Sequence, residues 1–139
     1  MIDIERPVYL RQIEPFFDKP VIKVLTGMRR VGKSSLLRLL TRHLRLSGVA
    51  ESQIISINKE SMDWDFIRNE TDLYRYLTDR FRDCPGKPYL FIDEVQEIAN
   101  WERVINSLLA DDRADITITG SNADLLSSEL ATLIAGRYV

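Results

Sequence analysis

The chain is poor in the residues that staple or metallate small proteins. Of its 139 residues, one is a cysteine, Cys84, and one a histidine, His43. A lone cysteine excludes an internal disulfide framework and suits a reducing compartment. Cys84 lies in the turn-like "CPGKP" and lacks the His or Cys neighbours that metal or nucleophile chemistry needs. No uninterrupted apolar run comes near the roughly 18 residues of a spanning helix. The opening "MIDIERPVYL" carries acidic residues where a secretory signal would carry basic ones. The expectation is a cytoplasmic protein with no membrane partner. Net charge is small as well, −2, so no global field draws the chain to polyanions. Nucleic acid is a conceivable partner without support in that balance.

What is present is an ordinary globular composition, 45% hydrophobic and 29% charged, in one domain's worth of chain. There is no internal repeat and no low-complexity segment. Short apolar runs alternate with longer amphipathic ones. Val21–Thr26 ("VIKVLT"), Gln53–Ile57 ("QIISI"), Tyr89–Asp93 ("YLFID") and "DITITG" read as strands. Lys33 to about Leu46, Thr71–Arg82 and "NWERVINSLLA" read as amphipathic helices. A final helical stretch, "ADLLSSELATLIAG", is expected to stop at Gly136. The alternation predicts an α/β fold, a mostly parallel sheet with helices on both faces. Such three-layer sandwiches bind ligands at the carboxyl ends of their strands.

After the first strand comes "TGMRRVGKSS", with the spacing G-x-x-x-x-G-K-S. Glycines at these positions let backbone N–H groups wrap phosphate oxygens where a Cβ would intrude. A helix starting near Lys33 would point its positive dipole end at the same anion. Gly27, Met28, Arg29, Arg30, Val31, Gly32, Lys33, Ser34 and Ser35 are therefore the candidate nucleotide-binding residues. Lys33 would reach the β- and γ-phosphates, and the Ser34 hydroxyl would ligand Mg²⁺. A glycine-containing turn before a helix is the plainer account. A chance match in a chain this long arises about once in a few hundred sequences, and here the strand and helix context is also present.

The third strand ends in Asp93-Glu94. Asp93 would hold Mg²⁺ through its water shell, and Glu94 is suited to orient or deprotonate an attacking water. The acidic pair favours hydrolysis over transfer to a small substrate, where the second carboxylate is often absent because water must be kept out. A small-molecule kinase would have to explain Glu94. About 60 positions separate Lys33 from Asp93, room for one strand and at least one helix. That inserts an additional strand between the phosphate-loop strand and the acidic one, as in the ATPase branch that activates water with a glutamate. The fourth strand ends at Thr119, Ser121 and Asn122, taken as a group for contact with the γ-phosphate or the water. A Gly-Ser-Asn turn accounts for them equally well.

"VLTGMRRVGKSSLL", "YLFIDEVQEIANWERVINSLL" and "ITITGSNADLLSSELATLIAGRYV" resemble the core of the prokaryotic AAA-type P-loop ATPases. Gln96 after the acidic pair and Trp101 opening the next helix belong to that resemblance. It implies ATP and Mg²⁺ as ligands and a five-stranded, AAA-like core with the phosphate-loop strand in the middle. It places Arg137 at the end of the helix before the fifth strand, as an arginine finger toward a neighbouring subunit. A helix-end cation stabilised by the dipole is the alternative for Arg137. Tyr9, Leu10 and Ile13 would approach the adenine. Self-association through the core would follow, with a further protein partner unknown.

"GRYV" resembles the opening of a fifth strand cut short, whereas family members continue into a lid domain and a C-terminal region. The resemblance thus implies an N-terminal nucleotide-binding fragment, 1–20 being an N-terminal segment and 21–139 the core. Three functions stay open: an ATPase that drives a partner or C-terminal region, a nucleotide switch with little hydrolysis, and a nucleic-acid module using ATP structurally. His43 is expected on a solvated helix face with Arg38, Arg42 and Arg45, while Trp64 and Trp101 are expected to pack.

Overall fold

The computed structural model describes residues 13–19, 21–26, 30–120 and 133–137, with 26, 30, 31 and 133–137 described by backbone alone. Five strands form one parallel sheet: β1 (Ile22–Thr26), β2 (Ile54–Asn58), β3 (Tyr89–Asp93), β4 (Asp115–Thr119) and β5 (Leu133–Arg137). Their spatial order is β2-β3-β4-β1-β5, every neighbouring pair parallel. Three helices connect them among the described residues: α1 (Arg30–Leu46), α2 (Glu70–Phe81) and α3 (Trp101–Ala110). None of these helices is long and apolar enough to cross a membrane.

The period-2 alternation of the strands sends side chains to two separate cores. Ile22, Val24, Ile55, Ile57, Leu90, Ile92, Ile116 and Ile118 face α2 and α3, meeting Leu73, Leu77, Val104, Ile105 and Leu108. Leu25, Ile54 and Phe91 face the opposite side and pack on α1. There Leu36, Leu40 and Leu44 recur at helical spacing and are buried, while Arg38, Arg42 and Arg45 lie on the exposed side. Each fully buried leucine of this kind stabilises the fold by about 1.5–3 kcal/mol. Local signals agree with the elements. Asn69 caps α2 by accepting from the Asp72 N–H at 3.0 Å, and Trp101 opens α3 as a buried residue. Trp64 packs edge-on against Tyr76.

Several expectations need correction. The last helical stretch does not extend to Gly136. Leu133–Arg137 is strand β5, and Gly136 pairs with Leu25 inside it. Short apolar runs such as "LIAG" read alike as helix or strand, and the otherwise unpaired edge of β1 decides the matter. Arg137 therefore stands in the last position of β5, in register with Thr26, and not at a helix end. The helix-dipole account of it falls for the same reason. β5 has five residues, as many as each of the other strands, and Gly136-Arg137 stand at its end and not at its opening.

The middle strand is β4, not the phosphate-loop strand β1, which lies one place from the β5 edge. The additional strand between β1 and β3 is likewise β4. The strand that lies between them in sequence, β2, goes to the outer edge.

Part of the N-terminal segment, residues 13–19, packs onto α1. Ile13 and Phe17 are buried against the α1 leucines. His43 is half-buried: its ring stacks on Phe17 at 6.5 Å between centroids, and Nε2 lies 3.1 Å from Glu14. A histidine at the edge of a leucine face meets whatever the preceding segment lays over it. Tyr9, Leu10 and residues 123–132 of the expected last helix lie outside the described residues.

Candidate active site

Parallel strands deliver their carboxyl ends to one edge of the sheet, and α1 begins at that edge. Its first turn starts at Arg30, slightly earlier than the expected Lys33, so Gly32, Lys33 and Ser34 ride on a helix N-terminus. Lys33 is buried, 6% exposed. Its ammonium donates to Glu94 Oε2 at 2.6 Å and points toward the Gly120 carbonyl at 3.5 Å. Ser34 Oγ donates to Asp93 Oδ2 at 3.2 Å. The other Asp93 oxygen accepts from the Thr119 hydroxyl. That same hydroxyl accepts from the Glu94 N–H at 3.1 Å. Thr119 thus ties the two acidic residues of β3 to the end of β4.

Glu94 adopts a left-handed backbone, φ 58° and ψ 54°. For a residue with a Cβ this costs about 1–2 kcal/mol, and such strain gathers at working sites. The turn lets the chain leave β3 abruptly into the 3-10 turn Val95–Glu97. Gln96 in that turn donates from Nε2 to Glu94 Oε1 at 2.7 Å. Both carboxylate oxygens of Glu94 are therefore held.

Of the residues named from sequence, the structure brings Lys33, Ser34, Asp93, Glu94 and Thr119 into one cluster. The Ser35 hydroxyl accepts from Arg38 at 3.2 Å. Gly27, Met28, Arg29, Ser121 and Asn122 lie outside the described residues, as do the side chains of Arg30, Val31 and Arg137. Sequence reasoning named Gln96 only as a family mark and did not connect it to Glu94. It also passed over Asn58, which pairs with Asp93 at the end of β2. A polar residue at the end of a neighbouring strand was the available signal.

The donor chemistry fits a hard cation and an anion. Among the described residues no cluster of three or more His, Cys, Asp or Glu could cage a metal. Magnesium needs no such cage. It keeps waters and takes one or two protein oxygens plus substrate phosphates, and Ser34 and Asp93 offer that pair. A cleft of about 150 Å³ opens beside them, lined by Ser34, Arg38, Ser56, Asn58 and Asp93. The larger groove, about 520 Å³ between α2 and α3, holds none of these residues.

At the opposite, amino-terminal edge of the sheet lies a second polar network that the sequence reading missed. Lys23 and Asp115 form a buried ion pair at 2.7 Å. Asp115 also accepts from the Asp18 N–H at 2.5 Å, and Asp18 accepts from the Tyr89 hydroxyl at 2.6 Å. Burial lowers the Lys23 pKa and raises that of Asp115, each opposed by the partner's charge. Burial, then the Asp18 contact, pushes the Tyr89 phenol above its ordinary range. A lysine in the middle of "VIKVL" was the signal available.

A family model described as "AAA domain" matches residues 19–139. An uncharacterized protein of Haemophilus influenzae is 40% identical over 136 residues, covering 98% of this chain and 34% of that protein. An uncharacterized protein of Methanocaldococcus jannaschii is 34% identical over 117 residues, covering 84% of this chain and 24% of that protein. The chain thus spans about a third or less of the length of these relatives.

Proposed function

We propose, for a chain that belongs to the AAA-domain family and so carries a nucleotide-binding P-loop core, a magnesium-dependent hydrolysis of ATP. The observation that carries the proposal is the convergence of Lys33 and Ser34 from α1, Asp93 and Glu94 from β3, and Thr119 from β4 in one hydrogen-bonded cluster. Lys33 exchanges the Glu94 carboxylate for phosphate oxygens when nucleotide arrives. Ser34 and Asp93 hold Mg²⁺, which when bound offsets phosphate charge. Thr119 keeps the Asp93 side chain and the Glu94 backbone in fixed relation. Glu94, released from the lysine, takes a proton from the attacking water.

Coupling of this cycle to a region beyond the chain, as the greater length of the relatives suggests, is part of the proposal. So is assembly with further copies, for which Arg137 at the carboxyl end of edge strand β5 is the candidate trans-acting cation. The test is phosphate release from Mg-ATP, with Lys33→Ala as the blank. Release that the variant lacks supports the reading, and release that survives in it overturns the reading.

One observation favours a second reading, a nucleotide-dependent switch with slow turnover. Lys33 and Glu94 neutralise each other at 2.6 Å, so nucleotide binding alone would rearrange the site without any chemistry.

A further inference from the structure

The turn after β3 is anchored by Val95, which is fully buried in the core. That anchor holds the next residue, Gln96, beside the Glu94 carboxylate, where Nε2 donates to Oε1 at 2.7 Å. Lys33 holds Oε2 at 2.6 Å. The two holders differ in kind. Lys33 is a cation for which phosphate competes, whereas Gln96 is neutral and has no reason to leave when nucleotide binds.

The amide's orientation follows from chemistry, since reversing it would set two acceptor oxygens against each other. In this orientation Gln96 Oε1 is buried and has no hydrogen-bond partner among the described residues. A buried acceptor without a donor is uncommon. This one belongs to the same amide that grips the general base.

We infer that Gln96 is the positioning residue of the hydrolytic step, holding Glu94 by its amide N–H and accepting the second O–H of the attacking water at Oε1. The inference rests on the ATPase reading above. In the step, the water oxygen bonds to the γ-phosphorus, and the bond to the ADP oxygen breaks with its electron pair. One water proton passes to Glu94. The other stays on the transferred oxygen, hydrogen-bonded to Gln96 until phosphate leaves. A water with both O–H bonds directed to fixed acceptors presents its lone pair in one direction, which is the positional gain.

The experiment compares Gln96→Met, which keeps length but removes donor and acceptor, with Gln96→Glu, which keeps an acceptor and loses the donor. It measures kcat, KM, the Kd of a fluorescent ATP analogue, and the affinity for ADP with aluminium fluoride as a transition-state mimic. Gln96→Met is expected to lower kcat about 10²-fold and to weaken the ADP–aluminium fluoride complex comparably. Binding of the ATP analogue and the melting temperature should stay near wild type, because the lost contact is to the base and the water. Gln96→Glu should not restore turnover, since its carboxylate repels Glu94.

A kcat and a mimic affinity both within about two-fold of wild type would overturn the inference. So would equal losses in ATP binding, mimic binding and thermal stability, which mark a purely structural role. Failure of the ATPase reading is seen separately. If Lys33→Ala binds the ATP analogue and releases phosphate like wild type, that reading falls, and the inference falls with it.

Discussion

The Lys33 ammonium and the Glu94 carboxylate meet at 2.6 Å with side chains only 8% and 14% exposed. One belongs to the first turn of α1 and the other to the turn after β3. In this state the cation that suits a phosphate and the carboxylate that suits a water are satisfied by each other. An anion that drew Lys33 away would release Glu94 Oε2, so under the proposed hydrolysis binding and activation of the base would be linked through this contact.

Replacing Lys33 by alanine should therefore act first on binding. A charge-assisted contact of this kind is worth about 1.5–3 kcal/mol, so affinity for Mg-ATP should fall at least about tenfold. Titration of a fluorescent ATP analogue measures it. Unchanged affinity would remove Lys33 from the phosphate site.

Glu94→Gln separates the ATPase from the switch. The amide keeps an oxygen to accept from Lys33, so nucleotide binding should persist. Phosphate release should drop about 10²-fold or more if Glu94 is the base. A variant that releases phosphate as fast as wild type would favour the switch.

Thr119→Val keeps shape and β-branching but deletes the hydroxyl shared by Asp93 and the Glu94 N–H. Stranding those groups should cost about 1–3 kcal/mol in urea unfolding. The Mg²⁺ concentration needed for ATP binding should also rise, because Asp93 loses its restraint. Thr119→Ser should recover most of both effects. Wild-type behaviour in Thr119→Val would show that the bridge carries no weight.

At the far edge of the sheet, Asp115→Ala should be much worse than removal of the whole pair. It leaves the buried Lys23 uncompensated, a loss of about 3–5 kcal/mol. Lys23→Met with Asp115→Leu should restore much of that stability. Denaturant midpoints for wild type, single and double variants decide. Equal losses in single and double variants would mean that the pair does not act as a unit.

Tyr89 makes stability sensitive to alkali. Its phenol pKa is raised in the folded state, so the native protein keeps a proton that the unfolded chain releases from about pH 10 upward. The stabilisation is complete below that pH and is lost as pH rises toward the folded value. Lys23, with its pKa lowered, acts in the opposite direction over its own window. The comparison with Tyr89→Phe isolates the phenol. Wild type should lose melting temperature more steeply between about pH 9 and 11 than Tyr89→Phe. Parallel curves would remove Tyr89 from the alkaline response.

Much of the architecture was readable because local pattern and global fold agree here. "YLFID" and "DITIT" are strands in the structure as read, and Trp101 opens its helix. The spacing around Lys33 named a loop whose first helical turn now sits at the strand ends. Reading failed where a segment's state depends on a distant neighbour. Leu133–Arg137 became a strand because β1 offers an edge. His43 lost part of its exposure because residues 14–17 lie over α1. Lys23, placed in an apolar strand, had its counterion 92 positions away.

By itself, then, the sequence determined the alternation of strand and helix, the two faces of each amphipathic element and the chemistry available after each strand. These depend on side-chain periodicity and on residues close in the chain. Only the tertiary structure decided that β4 separates β1 from β3, that Thr119 joins Asp93 to Glu94, and that Gln96 and Lys33 share one carboxylate. Strand order and side-chain pairing arise from contacts between segments far apart in sequence. No local pattern records which of the available partners a buried polar atom will find.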